Sequence, residues 1–173
     1  MCRICWRLDF EFVKNIKFVI VDVDGVLTDG TIYIDSQGCE TKAFSVLDGT
    51  GISYLHRVSI KTAIISGRNC NAVTHRAKEL GIEDVYQGIK NKLDAYNQLL
   101  EKYALRDEEI CYIGDDLIDL PILYRVGFSV AVANASPIVK RQSDYVTKAR
   151  GGYGAVREVA EKILRFQDKW HLI

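Results

Sequence analysis

The chain has 173 residues, enough for one domain with a sizeable core. Its 23 Lys and Arg balance 23 Asp and Glu, so charge gives no basis for nucleic acid or an anionic membrane surface as a partner. No apolar run reaches the length of a membrane-spanning helix and no secretory apolar region stands near Met1, so a cytoplasmic protein is expected.

Residues 1–16 read as a short N-terminal extension ahead of a single domain spanning 17–173. The five cysteines are odd in number and scattered, as thiols in a reducing compartment would be. Cys2 and Cys5 have the spacing of a metal or redox pair, but no second pair or nearby His completes a four-ligand zinc site.

Strand one is expected over Lys17–Val23, an apolar and mostly β-branched run that ends in Asp22-Val23-Asp24-Gly25. Two strand-like runs, Thr31–Ile34 and Glu40–Val46, flank the turn Asp35-Ser36-Gln37-Gly38 and predict a β-hairpin standing over that strand end as a flap. A helix follows from Asp48-Gly49-Thr50-Gly51 to about Val58. The next strand, Thr62–Ile65, ends at Ser66-Gly67-Arg68, and a helix over Asn71–Leu80 stops at Gly81. A short strand covers Asp84–Tyr86, and the apolar period of Leu93, Tyr96, Leu99, Leu100 and Tyr103 predicts a helix over Asn91–Tyr103. Ile110–Ile113 is a strand ending at Gly114-Asp115-Asp116, and Pro121 lies early in the next helix. Phe128–Val132 is a strand, a short helix follows Pro137, Tyr145–Val146 is a small strand, and an amphipathic helix runs over Ala155–Lys169. This alternation predicts a doubly wound, mainly parallel, Rossmann-like α/β sheet.

Chemistry gathers at the strand ends. Asp22 and Asp24 fit a carboxylate that attacks phosphorus and a second carboxyl that protonates the leaving oxygen and then deprotonates water. The competing reading is a simple Asp-Gly turn, which the apolar strand before it disfavours. Ser66 and the N–H groups around Gly67 could cradle a phosphate, or Ser66 could be a helix N-cap. Arg68 is placed for a second anion, or is a solvated surface arginine. Lys92, at a helix start where a cation opposes the dipole, could neutralise a phosphate, with Lys90 as competitor. Asp115, Asp116 and Asp119 would repel one another without a cation, and Asp115 with Asp22 would give two oxygen ligands for Mg²⁺. Asp119 could instead cap the helix containing Pro121. His56, His75 and His171 form no catalytic arrangement, and Gly25, Gly49 and Gly51 form no dinucleotide fingerprint.

Asp22-x-Asp24, Ser66, Lys92 and Gly114-Asp115-Asp116, in this order, resemble the haloacid dehalogenase superfamily, and the hairpin without an inserted cap domain resembles its capless branch. The segments Asp22–Gly30, Phe44–Ile52, Ile65–Arg68, Tyr112–Asp119 and Gly151–Glu158 are similar to the 3-deoxy-D-manno-octulosonate 8-phosphate phosphatases over nearly the whole chain from Lys17. The resemblance implies hydrolysis of that phosphomonoester, in the supply of lipopolysaccharide precursors, through an aspartyl-phosphate intermediate. It implies Asp22 as nucleophile and Mg²⁺ ligand, and Asp24 as general acid/base and a ligand through its backbone carbonyl. Ser66, Gly67 and Lys92 would hold the phosphoryl group, Asp115 would complete the metal ligands, and Asp116 and Asp119 would support them. Arg68 and Arg157 would bear on the sugar acid. It further implies a homotetramer with hairpins 31–44 at the interface. Leu47 departs from the basic residue that many such enzymes carry before Asp48-Gly49, which bears on the choice of sugar acid. The alternatives are a nonulosonate 9-phosphate phosphatase, a dehalogenase, which would need neither Asp24 nor the metal-binding acids, and a non-catalytic regulatory subunit.

Overall fold

The buried run Phe18–Val21 forms β1 in the computed structural model, which describes residues 10–173. β1 is shorter than Lys17–Val23 because Asp22 turns the chain: its side chain accepts from the Val23 N–H and caps an irregular turn over Val23–Leu27. The hairpin follows as β2 (Tyr33–Ile34) and β3 (Glu40–Thr41), antiparallel. Its second arm does not reach Val46. Ser45 accepts from the Leu47 N–H at 3.1 Å and starts helix α1 at Val46–Arg57, so a capping hydroxyl overrides the strand-like composition. α1 therefore begins before Asp48 and carries Gly49 and Gly51 inside it. A Cβ on Gly51 would lie 2.6 Å from the Arg157 Cα, so the glycine lets α1 meet the C-terminal helix closely.

The chain continues through β4 (Lys61–Ile65), α2 (Asn71–Leu80), β5 (Asp84–Tyr86), α3 (Lys92–Tyr103), β6 (Ile110–Gly114), α4 (Leu120–Leu123), β7 (Phe128–Ala131), α5 (Pro137–Gln142), β8 (Tyr145–Val146) and α6 (Ala155–Phe166). α6 stops short of Lys169, and the chain turns at Asp168 with φ 53°. The six-stranded sheet has the order β5-β4-β1-β6-β7-β8 and is parallel throughout. This is the expected doubly wound α/β fold with a hairpin after the first strand.

Strand order decides where the site lies. β1 pairs with β4 on one side and β6 on the other, Val21 standing level with both Ile64 and Ile113. The winding direction reverses at β1, and such a reversal opens a crevice at the carboxyl ends of the strands. Three apolar runs therefore deliver their next residues to one place.

Residues 10–16, placed ahead of the domain by the sequence reading, pack on it: Glu11–Asn15 form a short 3₁₀ turn against α6, with Val13 and Ile16 buried. Cys2 and Cys5 lie outside the described residues.

Candidate active site

Asp22 is buried at the end of β1. One carboxylate oxygen accepts from the Val23 N–H at 2.7 Å, and the other lies 2.8 Å from the Lys92 ammonium. Lys92 enters from the first turn of α3, itself buried, and its ammonium also lies 2.7 Å from Asp119. Lys90 is exposed, so the two lysines are told apart. Asp115 follows β6 and packs on the Val23–Leu27 turn, where Gly25 has φ +85° and a Cβ would fall 2.1 Å from Asp115 Oδ2.

Carboxylate oxygens of Asp22, Asp115 and Asp119 lie within 4.8 Å of one another. Burial, then repulsion from Asp119, raises the Asp22 carboxyl to about 6 against the pull of Lys92. Burial, then repulsion from Asp22, Asp119 and Asp116, raises Asp115 to about 8. Negative charge is thus in excess beside a single ammonium. An all-oxygen set with surplus charge suits a hard divalent cation, so the residues fit one.

Asp119 is fully buried but does not cap α4 through its side chain. Its carboxylate accepts from the Asp115 and Asp116 N–H groups at 2.9 and 3.2 Å and from the Tyr112 hydroxyl at 2.6 Å. It occupies the space a side chain on Gly114 would need, since a Cβ there would lie 2.6 Å from Asp119 Oδ2. Asp116 is exposed and accepts from the Leu117 N–H at 2.8 Å.

Ser66 is buried directly after β4 and accepts from the Arg68 N–H at 3.3 Å. α2 starts only at Asn71, so Ser66 is not its N-cap. Asp22, Asp24, Gly30, Gly67, Arg68, Asp115, Asp116 and Ile118 line one cleft of about 240 Å³. Arg157 does not line it: its Nε lies 2.7 Å from Glu161 Oε1, and its guanidinium lies over the Tyr54 ring at 4.8 Å.

The structure adds residues that the strand-end reading passes over. Lys42 of the hairpin forms ion pairs with Asp24 and with Glu40, the latter at 2.8 Å. Asn134 spans two backbones, donating to the Gly25 carbonyl at 3.0 Å and accepting from the Gly151 N–H at 2.6 Å. Tyr112 is buried with its hydroxyl on Asp119. An apolar strand position shows Tyr112 as core, and nothing local distinguishes Lys42 from a solvated lysine.

Residues 84–157 match the model of the haloacid dehalogenase-like hydrolases. The chain is 51% identical over 156 residues to the 3-deoxy-D-manno-octulosonate 8-phosphate phosphatase of Escherichia coli strain K12, covering 90% of this chain and 83% of that one. The crystal structure of the phosphatase of that name from Yersinia pestis superposes with a TM-score of 0.92 at 49% identity, over 93% of this chain and 87% of that one. The Moraxella catarrhalis enzyme, solved with a magnesium ion, a phosphate ion and a KDO molecule, superposes with a TM-score of 0.91 at 44% identity, over 94% and 93%. The Haemophilus influenzae enzyme, in a cobalt-bound form, gives 0.88 at 42%, over 91% and 92%. With likeness of this extent laid over a carboxylate-lined cleft at the sheet's reversal point, the chain belongs to the 3-deoxy-D-manno-octulosonate 8-phosphate phosphatase family of the haloacid dehalogenase-like hydrolases and is a phosphatase.

Proposed function

We propose that the protein is a Mg²⁺-dependent phosphatase that hydrolyses 3-deoxy-D-manno-octulosonate 8-phosphate to the free sugar acid and phosphate, in lipopolysaccharide precursor supply. The observation that carries the mechanism is the Asp22 carboxylate, held at the end of the central strand by Val23 and Lys92, 2.7 and 2.8 Å away. An oxygen of Asp22 attacks phosphorus, the bond from phosphorus to the sugar oxygen breaks, and Asp24 gives that oxygen its proton. Asp24 then takes a proton from water, which attacks the aspartyl phosphate, and the bond from phosphorus to Asp22 breaks to release phosphate. Lys92, Ser66 and the N–H at Gly67 hold the phosphoryl oxygens where charge develops. Asp22, Asp115 and the Asp24 carbonyl would hold Mg²⁺, with Asp119 close by and Asp116 in support; bound there, the cation would neutralise the phosphate and polarise phosphorus.

Arg68 lines the cleft, paired with Glu40 at 2.6 Å, and is assigned to the sugar carboxylate, which would draw it from that pair. Assembly as a homotetramer through hairpins 31–44 is supported by Ile32, Tyr33 and Ile34, which are 45%, 45% and 64% exposed on so small a flap. Arg157 would then serve a site only across such an interface, because within one chain it pairs with Glu161. A cytoplasmic location accords with the substrate; no described helix is long and apolar enough to cross a membrane.

The test is phosphate release from the octulosonate 8-phosphate with Mg²⁺, by the native chain and by Asp22→Asn. The native chain is expected to turn over and the variant to be inert though folded; turnover by the variant rejects the mechanism. Comparing kcat/KM with a nonulosonate 9-phosphate decides the substrate, and a higher value for the latter rejects the assignment.

A further inference from the structure

Lys42 stands just past β3, on a hairpin with no core of its own, yet its side chain is 1% exposed. An ammonium is strongly hydrated and leaves water only where other groups replace it. Here the replacements are two carboxylates, Asp24 Oδ1 and Glu40 Oε1. Arg68, from the loop after β4, closes the set at 2.6 Å from Glu40 Oε2 and 3.9 Å from Asp24 Oδ2. Three separate segments thus meet on one lysine and its partners. The Lys42 side chain is 1% exposed against 23% for Asp24, so the lysine sits behind the carboxyl.

We propose that Lys42 is a positioning residue for Asp24. By taking Oδ1 it fixes the carboxyl's orientation and leaves Oδ2 to carry the proton, while Glu40, itself held by Arg68, keeps the lysine in place. The inference rests on Asp24 being the acid and base of the reaction. The proton moves from Oδ2 to the leaving oxygen and returns to Oδ2 from water, and Lys42 keeps its own protons throughout. The hairpin is then part of the chemistry as well as a cover.

The experiment compares Lys42→Met and Lys42→Gln with the native enzyme, with Mg²⁺ present and folding checked by thermal melting. On the sugar phosphate, kcat falls roughly tenfold to hundredfold, part of what a general acid/base contributes, while KM stays within about threefold. With p-nitrophenyl phosphate, whose leaving group needs no proton, the single-turnover rate of phosphoenzyme formation changes by less than about threefold. Lys78→Ala, at an exposed position on α2, leaves all three quantities unchanged. Unchanged kcat in the folded Lys42 variants overturns the proposal, as does a loss wholly in KM or one equally large for phosphoenzyme formation from p-nitrophenyl phosphate. Asp24→Asn keeps the two readings apart. Retained turnover there overturns the proton assignment itself, whereas an inert Asp24→Asn beside a fully active Lys42→Met overturns the role of Lys42 alone.

Discussion

Lys92 begins α3, where its charge opposes the helix dipole, and its side chain is buried. What holds it is a pair of carboxylates, Asp22 and Asp119, each within 2.8 Å. Removing one member of such a group leaves buried charge uncompensated, and for Lys92 it also removes the donor proposed for the phosphoryl oxygens. Lys92→Met is therefore expected to lower phosphate release by at least about a hundredfold. Lys90→Met, at an exposed position two residues away, is expected to leave it within about twofold. A steady-state assay of the two variants side by side checks this, and equal losses would reject the division of labour between them.

At the scale of elements, the glycine-rich segment before α6 braces the turn that carries Asp24. Asn134 ties Gly25 to Gly151, and a Cβ on Gly151 would meet the Gly25 carbonyl at 1.7 Å. Gly151→Ala must push that turn aside, so it is expected to lower kcat/KM and to cost about 2 kcal/mol of stability, read together by assay and denaturant titration. α6 itself is anchored by Asp48, whose buried carboxylate accepts from the Gly154, Val156 and Arg157 N–H groups at 3.1, 2.9 and 3.2 Å. Asp48→Ala leaves those donors unpaired and is expected to cost about 2 kcal/mol, with a matching fall in the denaturation midpoint.

Elements closed by local signals were legible in the sequence: Asn71–Leu80 ends at the left-handed Gly81, and Asp84–Tyr86 and Tyr145–Val146 have the expected limits. The second hairpin arm was not, because Glu40–Val46 has strand composition while a single hydroxyl at Ser45 commits the chain to helix. The positions of Asp22, Ser66, Lys92 and Asp115 were legible because each stands at the edge of an apolar run or a helix. Lys42 was not, since its burial depends on Asp24, 18 residues away along the chain. Arg157 was placed by the resemblance alone, and within one chain a glutamate one helical turn on takes up its side chain.

For the molecule as a whole, the acidic cluster makes stability depend on pH and on cations. Asp22 and Asp115 have folded-state values of about 6 and about 8, above the ordinary 3.8. Proton binding therefore favours the folded state. The contribution is present below about pH 4 and is lost as pH rises through 6 and then 8. A divalent cation held by the ionised carboxylates would reverse the loss, adding about 2.7 kcal/mol at a hundred times its Kd. Melting scans with and without Mg²⁺ are expected to show a larger gain near pH 8 than near pH 5. Equal gains at the two pH values would reject this account of the cluster.

Gly25 and Gly114 give up the space that Asp115 and Asp119 fill, a Cβ at either coming within 2.1 and 2.6 Å of a carboxylate oxygen. This interlock constrains the order in which the sequence can change. Once Asp119 is lost down to its Cβ, which alone would lie 2.7 Å from a Cβ on Gly114, an alanine at Gly114 is no longer crowded and drift is free to fill the space, whereas the φ of +85° still favours glycine at position 25. From then on, restoring the acid alone brings a clash, and the glycine has to return first. Loss of the cluster is easy and recovery needs two changes in a fixed sequence. In a double-mutant cycle, Gly114→Ala should therefore destabilise the native chain by more than about 1 kcal/mol beyond its effect on Asp119→Gly.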